Sequence, residues 1–445
     1  MLLYKTIGGL NTTGFDIVIG NPPYIKVQSI PKNLTTWFKS KFVSTTGKYD
    51  LYVLFIENSF SLLKKGGCII FINPHRFLIS EYGEGLRSFL LKRTAIMKAI
   101  YFGVEQLFET ATTYTGVFLF KESSTKLSFA IPKSKDLNSL VYSEKLYNSD
   151  FNFNFSLDND SNPIINKIAQ HKKVSEIFQG VFQGIIPMGD DIQVLKGEIK
   201  GDFFYGFSNA LKEEIKIEKG VVKPLLKGEN IQRYMQCQSD IYIFYPHYTN
   251  ENGKTKVIEE IQLKTLYPLA YSYILNFKVK LTEKKIKYKT NADYWFSLHR
   301  SRESYLFENE KIITPQLQNK PSFTLDNSKF YADAGGYMIL NKKGSNLNLK
   351  SYLGILNSKL FYYFIKKTST PYNNNYYYFK TNYIEPFGIP TLSDDMSRRI
   401  SERVEKIITN KIDGESTIEL EDEIDNLVYQ LYCLSDQEID IIENA

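Results

Sequence analysis

The sequence predicts an α/β chain in which a doubly wound sheet is followed by an α+β domain and C-terminal helices. Apolar runs at Phe15–Gly20 and at residues 68–72 each end in an Asn-Pro loop, as strands of a covered parallel sheet do. A segment with helical apolar spacing separates these runs. The second half of the chain mixes short strand-like runs with glycines and ends in polar helices.

The elements follow in order along the first half. Apolar side chains recur at helical spacing over residues 48–65, which predicts a helix that Gly66 and Gly67 end. After the strand at 68–72, the pattern indicates a helix over residues 83–92 and strands over 96–102 and 114–120. Strand, loop, helix and strand therefore repeat, as in a doubly wound sheet.

Composition shifts divide the chain into four parts. Residues 1–125 form the α/β part, and residues 126–168, rich in Ser, Asn, Asp and Lys, are predicted to be a connector with little core of its own. Residues 169–392 form the α+β domain, and residues 393–445 form a C-terminal helical segment.

Composition excludes several classes of protein. The 445 residues are 43% hydrophobic and 23% charged, which is enough apolar material for two or three cored domains. Three scattered cysteines argue against a disulfide framework or a zinc cluster and favour the cytoplasm, and no metal site is predicted. No apolar stretch approaches the length of a membrane span of about 20 residues. A net charge of +6 with 32 Tyr and 31 Phe suits a nucleic-acid partner, although biased genomic composition explains it equally well.

The loop Asn21-Pro22-Pro23-Tyr24 follows directly on the first predicted strand. Ligands of open α/β sheets bind at the carboxyl ends of strands. The two prolines lack backbone donors and leave carbonyls free to accept, the Asn21 amide adds an acceptor, and Tyr24 adds a flat face. Such a loop can hold a planar amine, for example the amino group of a nucleobase, while its nitrogen attacks an electrophile. The alternative is a plain Pro-Pro turn.

These residues resemble the gamma-type N6-adenine DNA methyltransferases of restriction-modification and phage-defence systems. Asn21 to Tyr24 match the catalytic motif of that family, and the strand ending in Asn73-Pro74 and the segment Leu107-Phe108 before the Thr-rich turn resemble its next motifs in order. The resemblance implies a Rossmann-like methyltransferase domain and S-adenosylmethionine as the methyl donor.

The resemblance also implies roles for single residues. Asn21 and the carbonyl of Pro22, within the Asn21-Pro22-Pro23-Tyr24 motif, accept the two N6 hydrogens of a flipped adenine, on which Tyr24 stacks. Phe108 is the candidate for a second aromatic wall, with a core position as the alternative. Asp16 is a candidate for contact with the cofactor, with a solvent-facing role as the alternative.

The second half is similar to the TaqI-like specificity domain that follows the catalytic domain in this family. The matching blocks include residues 180–184, residues 223–231 and residues 311–315. The resemblance implies double-stranded DNA as partner, with Trp295, Arg300, Arg302 and Lys227 as candidate contacts. Arginine binds guanine or phosphate through two parallel hydrogen bonds, although an internal ion pair would also explain Arg300 and Arg302.

One departure from the family pattern concerns the cofactor. Family members carry a strand and a Phe-x-Gly-x-Gly turn upstream of the catalytic loop, and residues 1–14 cannot hold them. We therefore expect a chain truncated before the catalytic loop, with an N-terminal segment or a partner chain that supplies the cofactor site. Two alternatives to a site-specific adenine methyltransferase stay open: a non-catalytic DNA-binding or specificity fragment, and an N-methyltransferase that acts on RNA or on protein glutamine.

Overall fold

The computed structural model describes residues 14–102, 114–132, 137, 140–148, 151, 153, 163–369, 371–372 and 376–444. It divides into two compact units, Met1–Asn162 and Pro163–Ala445. No helix in these described ranges is both long enough and apolar enough to cross a membrane.

The first unit is built on one mixed sheet. Its described strands are β1 (Phe15–Gly20), β2 (Leu63–Pro74), β3 (Ile96–Tyr101), β4 (Thr115–Phe120), β5 (Lys126–Ala130) and β6 (Tyr142–Leu146). Its described helices are α1 (Lys32–Lys41), α2 (Tyr52–Phe60) and α3 (Glu84–Lys92). The strand order is β1-β2-β4-β3-β5-β6, with β1 at one edge.

The strands of this sheet run in both directions. The pairs β1/β2 and β3/β5 are parallel, whereas β4 lies antiparallel between β2 and β3. The strands β5 and β6 pair in antiparallel fashion, and Leu127 and Phe129 of β5 are buried in the core of this unit. Residues 126–130 fall within the predicted connector, and for this part the expectation of little core is wrong, because Leu127 and Phe129 pack inward while β5 extends the sheet.

The two faces of this sheet differ in how they are covered. On one face, Ile69, Phe71, Phe118 and Phe120 are buried beneath α2 and α3. The opposite face is also apolar but is only partly covered: it carries side chains of β1, β2 and β4, namely Ile17, Ile19, Ile70, Ile72, Val117 and Leu119. Ile17 is 54% exposed and Ile19 is 73% exposed.

The second unit mixes helices and short strands. Its described helices are α4 (Pro163–Ala169), α5 (Val174–Ile177), α6 (Asp190–Gln193), α7 (Glu260–Leu266), α8 (Pro268–Leu275), α9 (Lys278–Lys287), α10 (Tyr305–Glu308), α11 (Leu349–Asn357), α12 (Lys359–Thr368), α13 (Thr381–Ile384), α14 (Asp394–Asp413), α15 (Ile418–Leu431) and α16 (Asp436–Glu443). Its described strands are β7 (Lys172–Lys173), β8 (Gly180–Gln183), β9 (Val194–Lys200), β10 (Phe203–Ser208), β11 (Glu213–Glu218), β12 (Val222–Leu226), β13 (Ile241–Phe244), β14 (His247–Thr249), β15 (Thr255–Val257), β16 (Lys311–Pro315), β17 (Leu317–Gln318), β18 (Thr324–Asp326), β19 (Tyr331–Ala332), β20 (Gly336–Leu340), β21 (Pro371–Tyr372), β22 (Tyr376–Tyr378) and β23 (Gly388–Ile389).

Two sheets organise the second unit. One has the order β11-β10-β9-β13-β12-β19, and the other has the order β18-β16-β20-β8. The C-terminal helices α14 and α15 pack on α11, and α16 packs on α12, so the helical segment predicted at residues 393–445 is part of this unit. The predicted fold class, α/β followed by α+β with C-terminal helices, is confirmed.

Candidate functional site

The loop Asn21-Pro22-Pro23-Tyr24 leaves the sheet beside the carboxyl end of β2. Parallel pairing places Gly20 opposite Phe71, so the residues after Gly20 lie next to Ile72 and Asn73. A Cβ at Gly20 would lie 3.3 Å from the Phe71 ring, so a side chain at Gly20 would crowd that ring. The loop therefore begins at the strand end where sheets of this class bind ligands.

Tyr24 is held by the neighbouring strand. Its hydroxyl donates a hydrogen bond to the carbonyl oxygen of Ile72 at 3.1 Å, and its ring meets Tyr52 edge-on with centroids 6.4 Å apart. Burial raises the pKa of Tyr24 to about 12, so the phenol keeps its proton and remains a donor at neutral pH. These contacts fix the position of the aromatic ring beside the loop.

Two acceptors of the loop receive no hydrogen bond from the described residues. Asn21 is exposed, and among the described residues no group hydrogen-bonds its side-chain amide. The carbonyl of Pro22 likewise accepts no backbone hydrogen bond within the described part of the chain. Farther along, Leu51 N donates to Ile25 O at 2.8 Å and Val27 N donates to Tyr49 O at 3.0 Å, which ties the loop to the start of α2. The loop is thus anchored at its end while its acceptors stay free.

A cavity of about 690 Å³ adjoins the loop. Its walls come from β1, the loop, α1 and α2, and its polar side chains, among the described residues that line it, are Asn21, Asn58 and Ser59. S-Adenosylmethionine carries an ammonium, a carboxylate and ribose hydroxyls, for which this lining offers no charged side chain. The lining therefore fits a flat apolar group but does not fit the whole donor.

Asp16 and Phe108 are the other residues of the first unit that were predicted to belong to the site. Asp16 lies on β1, is exposed and forms an ion pair with Lys64 at 2.9 Å, which corresponds to the solvent-facing alternative. Phe108 lies outside the described residues. In the described part of the chain, no group of three His, Cys, Asp or Glu side chains is placed to hold a metal ion.

Sequence reasoning missed the contribution of α1 to the cavity. Trp37, Phe38 and Phe42 contact one another through their rings and line the cavity beside the loop. The aromatic residues at positions i, i+1 and i+5 could have indicated this wall. However, α1 has no buried residue, and the lysines between the aromatic residues give it the sequence pattern of a solvent-exposed helix. His75, which follows Asn73-Pro74 at the end of β2, is buried against Tyr101 with ring centroids 4.2 Å apart.

The four candidate DNA contacts of the second unit occupy different environments. Trp295 is only 2% exposed and packs against Phe296 in the core, so its indole is not on the surface. Arg300 is exposed and forms no ion pair with a described residue, while its backbone pairs with Ile186. Lys227 is half-buried and lies near Asp333, whose pKa is raised by burial although the Lys227 charge opposes this shift.

Arg302, unlike Arg300, is half-buried and forms hydrogen bonds with protein groups. Its Nε donates to Gly184 O at 3.0 Å, and its Nη2 donates to Gln183 Oε1 at 3.2 Å. Its backbone has a φ of 60°, a left-handed conformation that most side chains avoid. The structure thus joins residues 180–184 to the arginine loop, with Arg302 directed to protein groups and Arg300 directed to solvent.

A mixed sheet with a polar Asn-Pro-Pro-Tyr loop at a strand end, followed by an α+β unit, is the arrangement of a two-part methyltransferase with a specificity domain. Two family models match the chain accordingly: Eco57I restriction-modification methylase over residues 4–108, and TaqI-like C-terminal specificity domain over residues 223–389. The predicted resemblance to restriction-modification methyltransferases with a TaqI-like domain is confirmed.

Individual relatives give the same result. The chain is 29% identical over 388 residues to the type II restriction enzyme and methyltransferase RM.Eco57I of Escherichia coli, covering 79% of this chain and 38% of that protein. It is 24% identical to the type II methyltransferase M.BanIII of Aneurinibacillus aneurinilyticus, covering 93% of this chain and 76% of that protein. Among solved structures, the type IIL restriction-modification enzyme MmeI in complex with DNA matches with a TM-score of 0.61 at 12% identity, over 96% of this chain and 56% of that one, and this supports the fold.

Proposed function

We propose that the chain is the catalytic-loop and target-recognition part of a site-specific DNA methyltransferase that methylates the N6 amino group of adenine, with S-adenosylmethionine as donor, in the cytoplasm. The observation that carries this proposal is the pair of acceptors, Asn21 Oδ1 and Pro22 O, to which no described residue donates, beside the anchored ring of Tyr24. An exocyclic amino group has two N–H donors and a π-face, which is the complement of this loop.

The chain's own residues act on the acceptor side of the reaction. Asn21 and the Pro22 carbonyl accept the two amino hydrogens and orient the nitrogen lone pair away from the loop. These hydrogen bonds strengthen as the nitrogen becomes tetrahedral and positively charged, so they stabilise the transition state more than the ground state. Tyr24 stacks on the flipped base and holds it in place. S-Adenosylmethionine supplies the methyl group.

The donor side requires a further segment of protein. One apolar face of the sheet is only partly covered, and β1 at the edge pairs only with β2 among the described residues. Parallel sheets are stable when helices cover both faces. We propose that a segment preceding β1 in the full-length protein adds a parallel strand to β1, covers Ile17 and Ile19 with a helix, and carries the charged groups that bind the donor.

Single-turnover methylation tests the proposed reaction. The full-length protein is incubated with duplex oligonucleotides and labelled donor, and methylated nucleosides are identified by mass. We expect N6-methyladenine, and we expect Asn21→Ala to reduce the rate about 100-fold or more while DNA affinity changes little. Normal turnover by Asn21→Ala, or methylcytosine as the product, would contradict the proposal.

A specificity fragment without turnover is the second candidate. The absence of a charged side chain from the described lining of the cavity favours it. In that case, the full-length protein would bind duplex DNA at defined sites and form no methylated base of any kind. RNA or a glutamine-containing peptide as the only methylated substrate would support the remaining alternative.

A further inference from the structure

The C-terminal end of α9 presents a group of exposed cations around an aromatic ring. Lys287 and Lys289 are exposed, and the ring of Tyr288 between them is 55% exposed. Lys289 has a φ of 54°, so the chain turns sharply directly after the helix. The sequence run of lysines alone is equally compatible with a solvated helix face.

The structure joins this helix end to the loop that carries Arg300. The ammonium of Lys285 donates to Ser297 Oγ at 2.6 Å and to Leu298 O at 3.0 Å. On the surface, the His299 ring packs against Tyr288 with centroids 5.3 Å apart. Arg300 follows His299 directly and is exposed, and its charge acts on the His299 ring, so we count its guanidinium with the two lysines.

Charge pairing separates this patch from the rest of α9. Lys278 forms an ion pair with Glu260 at 3.2 Å, and Lys280 forms one with Asp191 at 2.6 Å. Within the described part of the chain, Lys287, Lys289 and Arg300 form none. The first half of the helix is therefore neutralised internally, whereas its C-terminal end keeps an unbalanced positive charge. That charge is available to a polyanion.

We propose that Lys287, Tyr288, Lys289 and Arg300 form a phosphate-binding surface for the backbone of duplex DNA, and that Lys285 is a positioning residue that holds the Arg300 loop against α9. This inference rests on the proposed function, since it takes duplex DNA as the substrate. Lysine ammonium groups and the arginine fork bind phosphate oxygens, and the Tyr288 hydroxyl adds a neutral donor.

The surroundings of Lys285 support a positioning role. The side chain is buried, and the described residues provide it with carbonyl and hydroxyl acceptors but no carboxylate. Its charge acts on His247 of β14 and on His299, and Arg300 acts on His299 in turn. Burial lowers the pKa of Lys285 to about 8, whereas burial lowers the pKa of His247 to about 3 and that of His299 below 6.5. Between pH 7 and 9, Lys285 is therefore the group of this cluster that titrates.

Salt-dependent DNA binding by the full chain tests the surface. The affinity for a labelled duplex is measured against salt for the wild type, for Lys287→Ala/Lys289→Ala/Arg300→Ala, and for the matched control Lys278→Ala/Lys280→Ala, which removes two ion-paired lysines of the same helix. We expect the triple variant to bind at least about 10-fold more weakly, and its log–log salt slope to fall by about 0.9 for each phosphate that it no longer neutralises. The control should stay within about twofold of the wild type.

Two outcomes would contradict the proposed phosphate-binding surface. One is a triple variant that behaves like the control, and the other is a triple variant that loses single-stranded RNA binding while duplex binding is unchanged. The result is separable from the proposed function, because methylation that depends on Asn21 can persist when the triple variant binds DNA normally. Conversely, loss of binding in the triple variant without any methylation by the full-length protein would contradict the reaction and leave the surface supported.

A pH profile tests the positioning residue. Wild-type affinity for DNA should decrease as the pH rises from 7 to 9, because the Lys285 ammonium loses a proton and its hold on the loop. Lys285→Met should bind several-fold more weakly at pH 7 and should show no such decrease. Ser297→Ala, which keeps the lysine and removes one acceptor, provides the same comparison if Lys285→Met does not fold. A wild-type profile that is flat from pH 7 to 9 would overturn the role of Lys285.

Discussion

The hydroxyl of Tyr24 donates a hydrogen bond to the carbonyl oxygen of Ile72, which lies 3.1 Å away at the end of the neighbouring strand. This bond links the Asn-Pro-Pro-Tyr loop after β1 to β2, so the position of the ring depends on the pairing of two strands. An aromatic residue without a hydroxyl would keep the stacking face and lose the anchor. The two contributions can therefore be separated by substitution.

Tyr24→Phe and Tyr24→Ala should differ in the proposed reaction. Phenylalanine keeps the stacking face, so methylation by the full-length protein should decrease by less than about 10-fold, which corresponds to one hydrogen bond of about 1 kcal/mol. Alanine removes stacking worth roughly 1–3 kcal/mol per base and should weaken both base retention and turnover. Fluorescence of 2-aminopurine at the target position reports base flipping. Equal behaviour of the two variants would show that the ring does not stack on the base.

Removal of the Arg302 side chain should lower the stability of the second unit, whereas removal of the Arg300 side chain should not. Arg302→Ala deletes the hydrogen bonds to Gly184 O and Gln183 Oε1, so the second unit should lose about 1–2 kcal/mol of unfolding free energy. Arg302→Lys should not restore it, because an ammonium cannot reproduce the arginine fork. Arg300→Ala should leave urea unfolding unchanged. A stability loss confined to the Arg300 variant would reverse this assignment.

The buried pair of Lys311 and Asp326 should be sensitive to single substitutions. Their charged atoms lie 2.5 Å apart with both side chains fully buried, and Asp326 also accepts from the backbone of Ser328 and Phe330. Lys311→Met leaves an unpaired buried carboxylate and should cost about 3–5 kcal/mol of unfolding free energy. The exposed pair at Lys126 is a matched control, and Lys126→Met should cost less than about 1 kcal/mol. Similar costs for the two variants, measured by urea unfolding, would refute the prediction.

Acid stability should depend on Glu421. Burial alone would raise its pKa, but Arg233, which donates to the carboxylate at 2.8 Å, holds the pKa below the ordinary value of 4.5. The resulting stabilisation is fully present above pH 4.5 and is lost as the pH falls through the lower folded-state pKa. Glu421→Gln should therefore unfold more easily at pH 7 and should lose less stability between pH 5 and 3. Parallel pH curves for the two proteins would contradict this prediction.

Local sequence patterns predicted the elements that have regular burial. The strand ending at Asn73-Pro74 and the helix at α3 follow apolar periodicity and lie where it placed them. In contrast, β2 begins at Leu63 and runs through the glycine pair that was expected only to end a helix, because it pairs with β1 on both sides of that pair, with an irregularity in the register between. Glycine marks a break in local propensity, but strand pairing decides the outcome.

Long-range packing explains what sequence patterns left open in the candidate site. Arg300 and Arg302 are two residues apart, and only tertiary contacts with residues 183 and 184 distinguish the half-buried, hydrogen-bonded Arg302 from the exposed Arg300. Trp295 was expected near DNA with these arginines, yet it packs in the core. A hydrophobic residue next to charged ones has no local signal that distinguishes an interface from an interior.

The outer edge of β1, which has no partner strand among the described residues, affects how the polypeptide would aggregate and be degraded in the cell. Such an edge, flanked by the exposed Ile17 and Ile19, is a template for edge-to-edge aggregation with other chains. Chains that expose such an edge are general substrates for chaperones and quality-control proteases. Under the proposed function, a polypeptide made without a segment that covers this edge would be cleared before it accumulated, so DNA recognition and methylation would be lost together.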